Sequence, residues 1–278
     1  MIKNQVIIRG GLGNQLFGLF YAYKLLLKYQ GKVSLNLGSY SISKRQDRSF
    51  LLSDFYPNLE ENFNINSTFI SNFIYLYARF FEKIFVKQKG NRLPGDNISI
   101  INYWPKRYLH NGYFQKIHNT EIDNKSIELL KKSYFHNLSN TKCNSLAIHI
   151  RRGDYLNNNH SMHGIIDEKY LFEEAKHQFK ENDYNGITIF TDSPNLIDIN
   201  LFRTLNKNIS VDYGGSPTEV FKRMTNHRAL IASNSSFSLW AGILGEINNF
   251  SIPSYWMKNV KSSYLGLKNI KRYKCFLK

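Results

Sequence analysis

Apolar and polar positions along this chain fall into blocks of differing period, and the changes of period mark its elements. Val6-Ile7-Ile8-Arg9 is a short apolar run of the kind a buried strand shows. Gly10-Gly11-Leu12-Gly13-Asn14-Gln15 interrupts it as a turn, and Leu16 to Tyr29 then carries apolar residues at helical spacing. The second half repeats this scheme more regularly. Strands are predicted at Ser145–Ile150, Gly186–Phe190, Ile209–Asp212 and Ala229–Ala232, and helices at Asp167–Lys180, Thr218–His227 and Phe237–Gly245. Such alternation predicts an α/β fold, a parallel sheet with crossover helices.

Between 39 and 140 the pattern is less regular and reads as the periphery of a domain. It offers an aromatic-rich helix at 67–87, a polar stretch at Gln88–Asn97, a strand meeting a turn at Tyr108–Gln115 and a helix at Glu121–His136. The chain is expected to divide near 138–144, giving an N-terminal domain over 1–140 and a C-terminal domain over 141–278.

Composition narrows the class. The 278 residues are 42% hydrophobic and 15% aromatic, which describes a globular chain and excludes general disorder. Cys143 and Cys275 are too few for a disulfide framework, and no Cys/His cluster has metal-ligand spacing, so no metal site is expected. The N-terminus carries no secretory signal, and a cytoplasmic location is expected. Phe69 to Val86 is the most lipid-like stretch. Asn72, Arg79, Glu82 and Lys83 interrupt it, so it falls short of the roughly 20 apolar residues of a spanning helix, although it suits a membrane surface.

The net charge is +16, unevenly placed. After Glu246 no acid follows, while Lys258, Lys261, Lys268, Lys271, Arg272, Lys274 and Lys278 are interleaved with Tyr255, Trp256, Tyr264, Tyr273 and Phe276. Such a tail would attract anionic headgroups at about 1 kcal/mol per well-placed cation. A lysine- and asparagine-rich composition bias that left a solvated face is the first reading, with membrane association next. Nucleic-acid binding through counterion release is a weaker third reading.

The candidate chemistry lies at strand ends, where α/β sheets bind ligands. His149-Ile150-Arg151-Arg152-Gly153-Asp154-Tyr155 ends an apolar strand with two guanidinium groups, which grip phosphate oxygens in pairs. Thr191-Asp192-Ser193-Pro194 and Ser233-Asn234-Ser235-Ser236 follow two further strands, and topology would bring all of these loops to one rim. Each also has a structural reading, as a turn or a helix N-cap. Together they suit a nucleotide diphosphate, its charge met by Arg151 and Arg152 and its oxygens by Ser235, Ser236 and the first amides of the next helix.

These residues resemble glycosyltransferase family 11, the α-1,2-fucosyltransferases. The resemblance runs through Gly10-Gly11-Leu12-Gly13-Asn14-Gln15-Leu16-Phe17, Asn111-Gly112-Tyr113-Phe114-Gln115, the Arg151-Arg152 motif, Ile189-Phe190-Thr191-Asp192 and Ala232-Ser233-Asn234-Ser235-Ser236-Phe237-Ser238-Leu239-Trp240, in family order. It implies a GT-B-type α/β fold, two Rossmann-like domains facing across a cleft, with GDP-L-fucose as donor substrate and neither cofactor nor metal. By position, it implies that Arg151 and Arg152 stabilise the leaving GDP and that Asp154 supports the loop or touches the donor. The donor would also meet His149, Asp192, Ser235, Ser236 and Phe237, with Asn14 and Gln15 near donor and acceptor. The acceptor implied is a galactose-containing glycan or lipid-linked oligosaccharide, as in O-antigen synthesis, and nucleic acid is not an expected partner. A related transferase using another nucleotide sugar or acceptor position remains the alternative. Two departures stand out: Ser193 occupies the place of a second acid in many relatives, and Ala241-Gly242-Ile243 varies the segment after Trp240. Candidates for a general base are Asp154, His149, His163 and Glu219, and a late proton loss without a strong base is a further option.

Overall fold

The computed structural model describes residues 3–29, 31–42, 49–67, 69–81, 98–134, 142–156 and 162–278. The chain forms two compact units, Met1–His136 and Asn137–Lys278.

The first unit runs β1 (Lys3–Ile7), α1 (Leu12–Tyr29), β2 (Val33–Asn36), α2 (Gly38–Ile42), α3 (Leu59–Asn62), β3 (Asn64–Asn66), α4 (Phe69–Phe81), β4 (Ser99–Trp104), β5 (Arg107–Asn111) and α5 (Glu121–Tyr134). Its sheet has the order β3-β2-β1-β5-β4, parallel except that β4 runs antiparallel to β5. The strand order therefore reverses at β1, whose neighbours are β2 on one side and β5 on the other. On one face Tyr75 and Ala78 of α4 pack with Ile7, Ile101 and Leu109. α1 and α5 are tied together by Lys24 Nζ, 2.5 Å from the buried Asp123 Oδ1. The segment expected to be peripheral thus supplies strands and a covering helix to the sheet.

Helix α1 begins at Leu12, earlier than the hydrophobic periodicity predicts. Gly10 turns the chain at φ 81°, a left-handed conformation that costs glycine nothing. The Gly11 carbonyl then accepts from the Asn14 and Gln15 amides at 2.9 and 3.0 Å. Asn14 and Gln15 consequently stand on the first turn of a helix.

The second unit runs β6 (Cys143–Ile150), α6 (Glu168–Glu181), β7 (Ile187–Thr191), α7 (Ile199–Arg203), β8 (Ile209–Asp212), α8 (Pro217–Thr225), β9 (His227–Ile231), α9 (Ser236–Leu244), β10 (Asn249–Pro253), β11 (Tyr255–Met257), β12 (Val260–Lys261) and β13 (Lys271–Tyr273). The main sheet, β13-β10-β9-β6-β7-β8, is parallel throughout. From β6 the chain builds outward through β7 to β8, then returns to the other side of β6 and builds through β9 and β10 to β13. That is the doubly wound order of a Rossmann unit, with its switch point between β6 and β9. Leu146, Ile148, Ile150, Ile187, Ile189, Ala229 and Ile231 of the strands bury themselves with Leu171 and Ala175 of α6.

The basic segment after Glu246 is folded structure. Trp256 and Tyr273 are buried, and the Tyr273 hydroxyl donates to the Ala232 carbonyl at 2.7 Å. Lys278 Nζ meets Asp167 at 2.5 Å and Lys271 Nζ meets Glu174 at 3.4 Å. Those cations are engaged with acids of α6 and its N-cap. Among the described residues, no helix is long and apolar enough to cross a membrane. The α/β class with two Rossmann-like units holds, and the interrupted stretch at 69–86 is a helix packed on a sheet as far as Phe81, its remainder lying outside the described residues.

Candidate functional site

The loops after β6, β7 and β9 meet at the switch point of the second unit. His149, near the end of β6, places Nδ1 2.8 Å from the Ser233 hydroxyl beyond β9. The Tyr155 hydroxyl spans the same gap, donating to the Asn234 carbonyl at 3.0 Å. Asp192, after β7, is the organising group. Its Oδ1 accepts from the backbone N–H groups of Arg152 and Gly153 at 2.9 and 3.0 Å, and its Oδ2 lies 2.7 Å from Arg151 Nη1. Gly153 is required by this closeness, because a Cβ there would stand 2.5 Å from Asp192 Oδ2.

The two arginines differ in setting. Arg152 is the enclosed one, its side chain 9% exposed against 33% for Arg151. Arg152 donates from Nη2 to Glu168 Oε1 at 3.1 Å and from Nη1 to the Arg151 carbonyl at 3.1 Å. Glu168 is itself anchored, since its Oε2 accepts from the Asp198 amide at 2.9 Å. Arg151 stands over the Tyr155 ring at 5.7 Å from its centroid. Among the described residues, each guanidinium meets a carboxylate, Asp192 for Arg151 and Glu168 for Arg152, and Arg151 is the more exposed of the two.

Helix α9 starts at this rim, with Ser235 as an N-cap that makes no side-chain capping bond. Its first-turn amides and positive dipole end face the same rim as the β6 loop. Ser235 is buried and Ser236 half-buried, while Phe237 packs edge-on against Phe221 of α8 at 5.3 Å. Asn234 fixes the approach of the next segment, donating from Nδ2 to the carbonyls of His163 at 2.8 Å and Gly164 at 3.2 Å. The His163 ring stacks on Tyr155 at 4.9 Å.

Burial, and secondarily the Arg151 charge, pushes the His149 pKa down to about 3. The imidazole is therefore neutral at physiological pH. Glu219 closes a capping box with Ser216 at the start of α8, where hydrogen bonds from Ser216 hold its carboxyl below the usual range. That occupation is structural. Asp154 lies in the helical turn Gly153–Leu156, and its side chain falls outside the described residues.

The first unit builds its own cluster at the carboxyl ends of β1 and β5, where its strand order reverses. Asn14 Oδ1 accepts from Gln115 Nε2 at 2.8 Å, joining the glycine turn to the segment after β5. The Gly10 carbonyl accepts from the Tyr40 hydroxyl at 3.0 Å, and the Arg9 guanidinium lies 4.3 Å from the Tyr113 ring centroid. Phe114 holds a left-handed φ of 54°, with its ring stacked on Tyr21 at 4.3 Å. Gln15 is fully buried. Its amide donates to the carbonyls of Gly10 at 3.1 Å and Ser49 at 2.8 Å, and its oxygen accepts from the Leu51 amide at 2.9 Å. Both its N–H donors and its oxygen engage backbone groups, which ties the side chain to the 49–51 segment.

The candidate residues thus form two sets, Arg151, Arg152, Asp192, His149, Ser235, Ser236 and Phe237 at one rim and Asn14 with Gln115 at the other. Glu168 escapes sequence reasoning altogether, and Asn234 enters it only as a member of the Ser233–Ser236 loop. A first-turn acid and a loop asparagine have ordinary capping explanations, and only tertiary contact shows one gripping Arg152 and the other gathering carbonyls.

Among solved structures, the chain is similar to NodZ α-1,6-fucosyltransferase co-crystallized with GDP, at 14% identity and a TM-score of 0.48, covering 87% of this chain and 92% of that one. Fucosyltransferase NodZ from Bradyrhizobium gives 13% identity and a TM-score of 0.48 over the same shares, 87% and 92%. The E. coli heptosyltransferase WaaC with ADP gives 10% and 0.47, covering 98% of this chain and 93% of that one. No curated protein matches. The sequence profile of glycosyl transferase family 11 matches residues 57–259, most of the chain, and the chain belongs to that family.

Proposed function

We propose that this glycosyltransferase moves L-fucose from GDP-L-fucose to the 2-hydroxyl of a galactose-like acceptor, inverting the anomeric carbon and using no metal. The observation that carries the reading is the rim at the β6–β9 switch point, where a half-exposed Arg151 stands on a backbone loop fixed by Asp192, beside the first turn of α9. In an inverting transfer the acceptor oxygen forms its bond to C1 as the C1–O bond to GDP breaks, and the acceptor hydroxyl then loses its proton late, to solvent or to the departing diphosphate. Negative charge grows on the departing diphosphate, and preorganised donors in a partly enclosed site stabilise that charge. Arg151 would supply it directly, exchanging Asp192 for phosphate oxygens. Arg152, clamped by Glu168, would hold the loop and add a second positive charge behind it. The first amides of α9 and the hydroxyls of Ser235 and Ser236 suit the remaining oxygens.

The choice of fucose, of GDP and of the 2-hydroxyl rests on the motif resemblance and on membership of family 11. The acceptor we favour is a galactose-containing glycan or lipid-linked oligosaccharide of surface-glycan synthesis. Incubation with GDP-fucose and a panel of β-galactosides should release GDP and give an α-1,2-linked product identified by NMR. Absence of both GDP release and product would overturn the reading. Better protection against thermal unfolding by another nucleotide sugar would move the donor assignment and leave the fold-level argument intact.

A further inference from the structure

Helix α4 presents an apolar stripe that stands exposed among the described residues. Phe69, Phe73, Leu76 and Phe80 recur at spacings of four, three and four, one face of a helix, with Ile70 and Tyr77 alongside. These side chains are 48 to 74% exposed, while Ser71, Tyr75 and Ala78 on the opposite face are buried. A contiguous apolar face of this kind on a folded unit marks a binding surface.

Beside the first turns of α4 lies a cavity of about 740 Å³ that Ile70 and Ile74 share with Lys3, Lys32 and Arg107, Glu60 being the one acid among its described lining residues. Lys3 opens β1, Arg107 opens β5 and Lys32 directly precedes β2. The cavity is therefore at the amino ends of the strands, the opposite end of the sheet from the glycine turn. Two of its lining residues, Asn4 and Gln5, are buried with Asn4 Nδ2 and Gln5 Oε1 lacking hydrogen-bond partners. An unmet buried donor in the lining of a cavity that also carries three cations fits a phosphate oxygen.

We propose that the first unit docks on an anionic phospholipid surface through α4, its aromatic stripe entering the acyl-chain boundary and its basic cavity receiving headgroup phosphates. Apolar insertion and electrostatic attraction together are what bind an interfacial helix. The net charge of +16 favours the same partner over a zwitterionic surface. This inference is independent of which sugar the chain transfers.

Flotation of the full chain with phosphatidylcholine vesicles, with and without about one-third phosphatidylglycerol, tests it. Binding should be about tenfold or more stronger to the anionic vesicles and fall with added salt. The double variant Phe73→Ser/Phe80→Ser, both sites being exposed, should keep its circular dichroism and lose about tenfold or more in vesicle affinity. Lys3→Glu/Lys32→Glu should remove the preference for anionic vesicles. No binding to either vesicle, or binding that both double variants leave unchanged, would overturn the proposal. So would a concentration-dependent dimer that the phenylalanine variant dissociates, since the stripe would then face a second copy of the chain.

Discussion

Asp192 holds Arg151 and the backbone that continues from it with one carboxylate. Oδ2 takes the guanidinium at 2.7 Å, and Oδ1 takes the amides of Arg152 and Gly153 at 2.9 and 3.0 Å. Because β6 and β7 are adjacent parallel strands in register, a residue just past one strand end reaches the loop leaving the other. The direction of a cation and the curvature of a loop are thereby coupled, and the rim's behaviour under mutation follows from that coupling.

Arg151 and Arg152 should fail differently. Arg151→Ala removes the more exposed guanidinium and is expected to cut turnover about 10²-fold or more, with the unfolding midpoint close to the parent's. Arg152→Ala leaves the largely enclosed Glu168 carboxylate without its cation and should cost about 1–3 kcal/mol of stability in addition to activity. Steady-state kinetics and urea unfolding on both variants separate the cases. Equal stability losses would contradict the division of roles.

Gly153 and Asp192 should be energetically coupled. A methyl group at 153 would sit 2.5 Å from Asp192 Oδ2, so Gly153→Ala must displace the carboxylate or the loop. In the parent background it should lower GDP affinity and the thermal midpoint together. In an Asp192→Ala background the clash is gone, and the same substitution should cost little more, giving a coupling of about 0.5–3 kcal/mol in a double-mutant cycle. Simple additivity would show that Gly153 answers to another neighbour.

His149 sets an acid dependence of stability rather than of catalysis. Its pKa falls from 6.5 to about 3 on folding, chiefly through burial, so the unfolded chain binds that proton more readily. The stabilising contribution is complete above the unfolded value of 6.5 and is lost as pH falls from there toward 3. His149→Gln, neutral throughout, should therefore flatten the pH dependence of unfolding free energy between about pH 5 and 6.5, by up to about 1.4 kcal/mol per pH unit. His110, lowered to about 4 by burial, is present in both proteins and cancels in the comparison. Urea titrations at several pH values provide the slopes, and identical slopes would mean that His149 is not buried in its neutral form.

The second unit was the more legible in sequence because its central strands β6, β7 and β9 are largely buried and most of its strands are separated by helices of nine residues or more. The range Ile209–Asp212 coincides with β8, and the other predicted elements lie within a few residues of those observed. In the first unit, β2 spans four residues and β3 three, too short for a period to declare itself. β10 to β13 were hidden inside a segment whose lysines suggested a solvated tail, since charge density says nothing about the aromatic residues between the lysines being buried. At the site, the Arg151-Arg152 motif was legible because it is contiguous. Asp192's grip on Gly153 was not, because it joins residues far apart in the chain, and nothing local demands a glycine at 153. Gln15 shows the opposite difficulty. A carboxamide beside a glycine turn has the same chemistry whether it faces a sugar or the chain's own backbone, and only burial distinguishes the two.

Gln15 supplies the test of that distinction. Its amide reaches the Ser49 carbonyl at 2.8 Å and its oxygen the Leu51 amide at 2.9 Å, from a side chain with no solvent exposure. Gln15→Ala would leave both backbone groups without a partner beneath the segment they anchor, at a cost of about 1–3 kcal/mol. A positioning residue of this kind should show the loss in urea unfolding, with GDP-fucose affinity by calorimetry held within about twofold, under 0.5 kcal/mol. A residue that touches the donor should give the converse: an unfolding curve close to the parent's and an affinity weakened about tenfold, or 1.4 kcal/mol. Because Gly10 keeps its bond from the Tyr40 hydroxyl at 3.0 Å, the glycine turn should survive the substitution, and the effect should centre on residues 49–51. Amide exchange at Leu51, whose N–H loses its acceptor, should therefore accelerate more than exchange within α1.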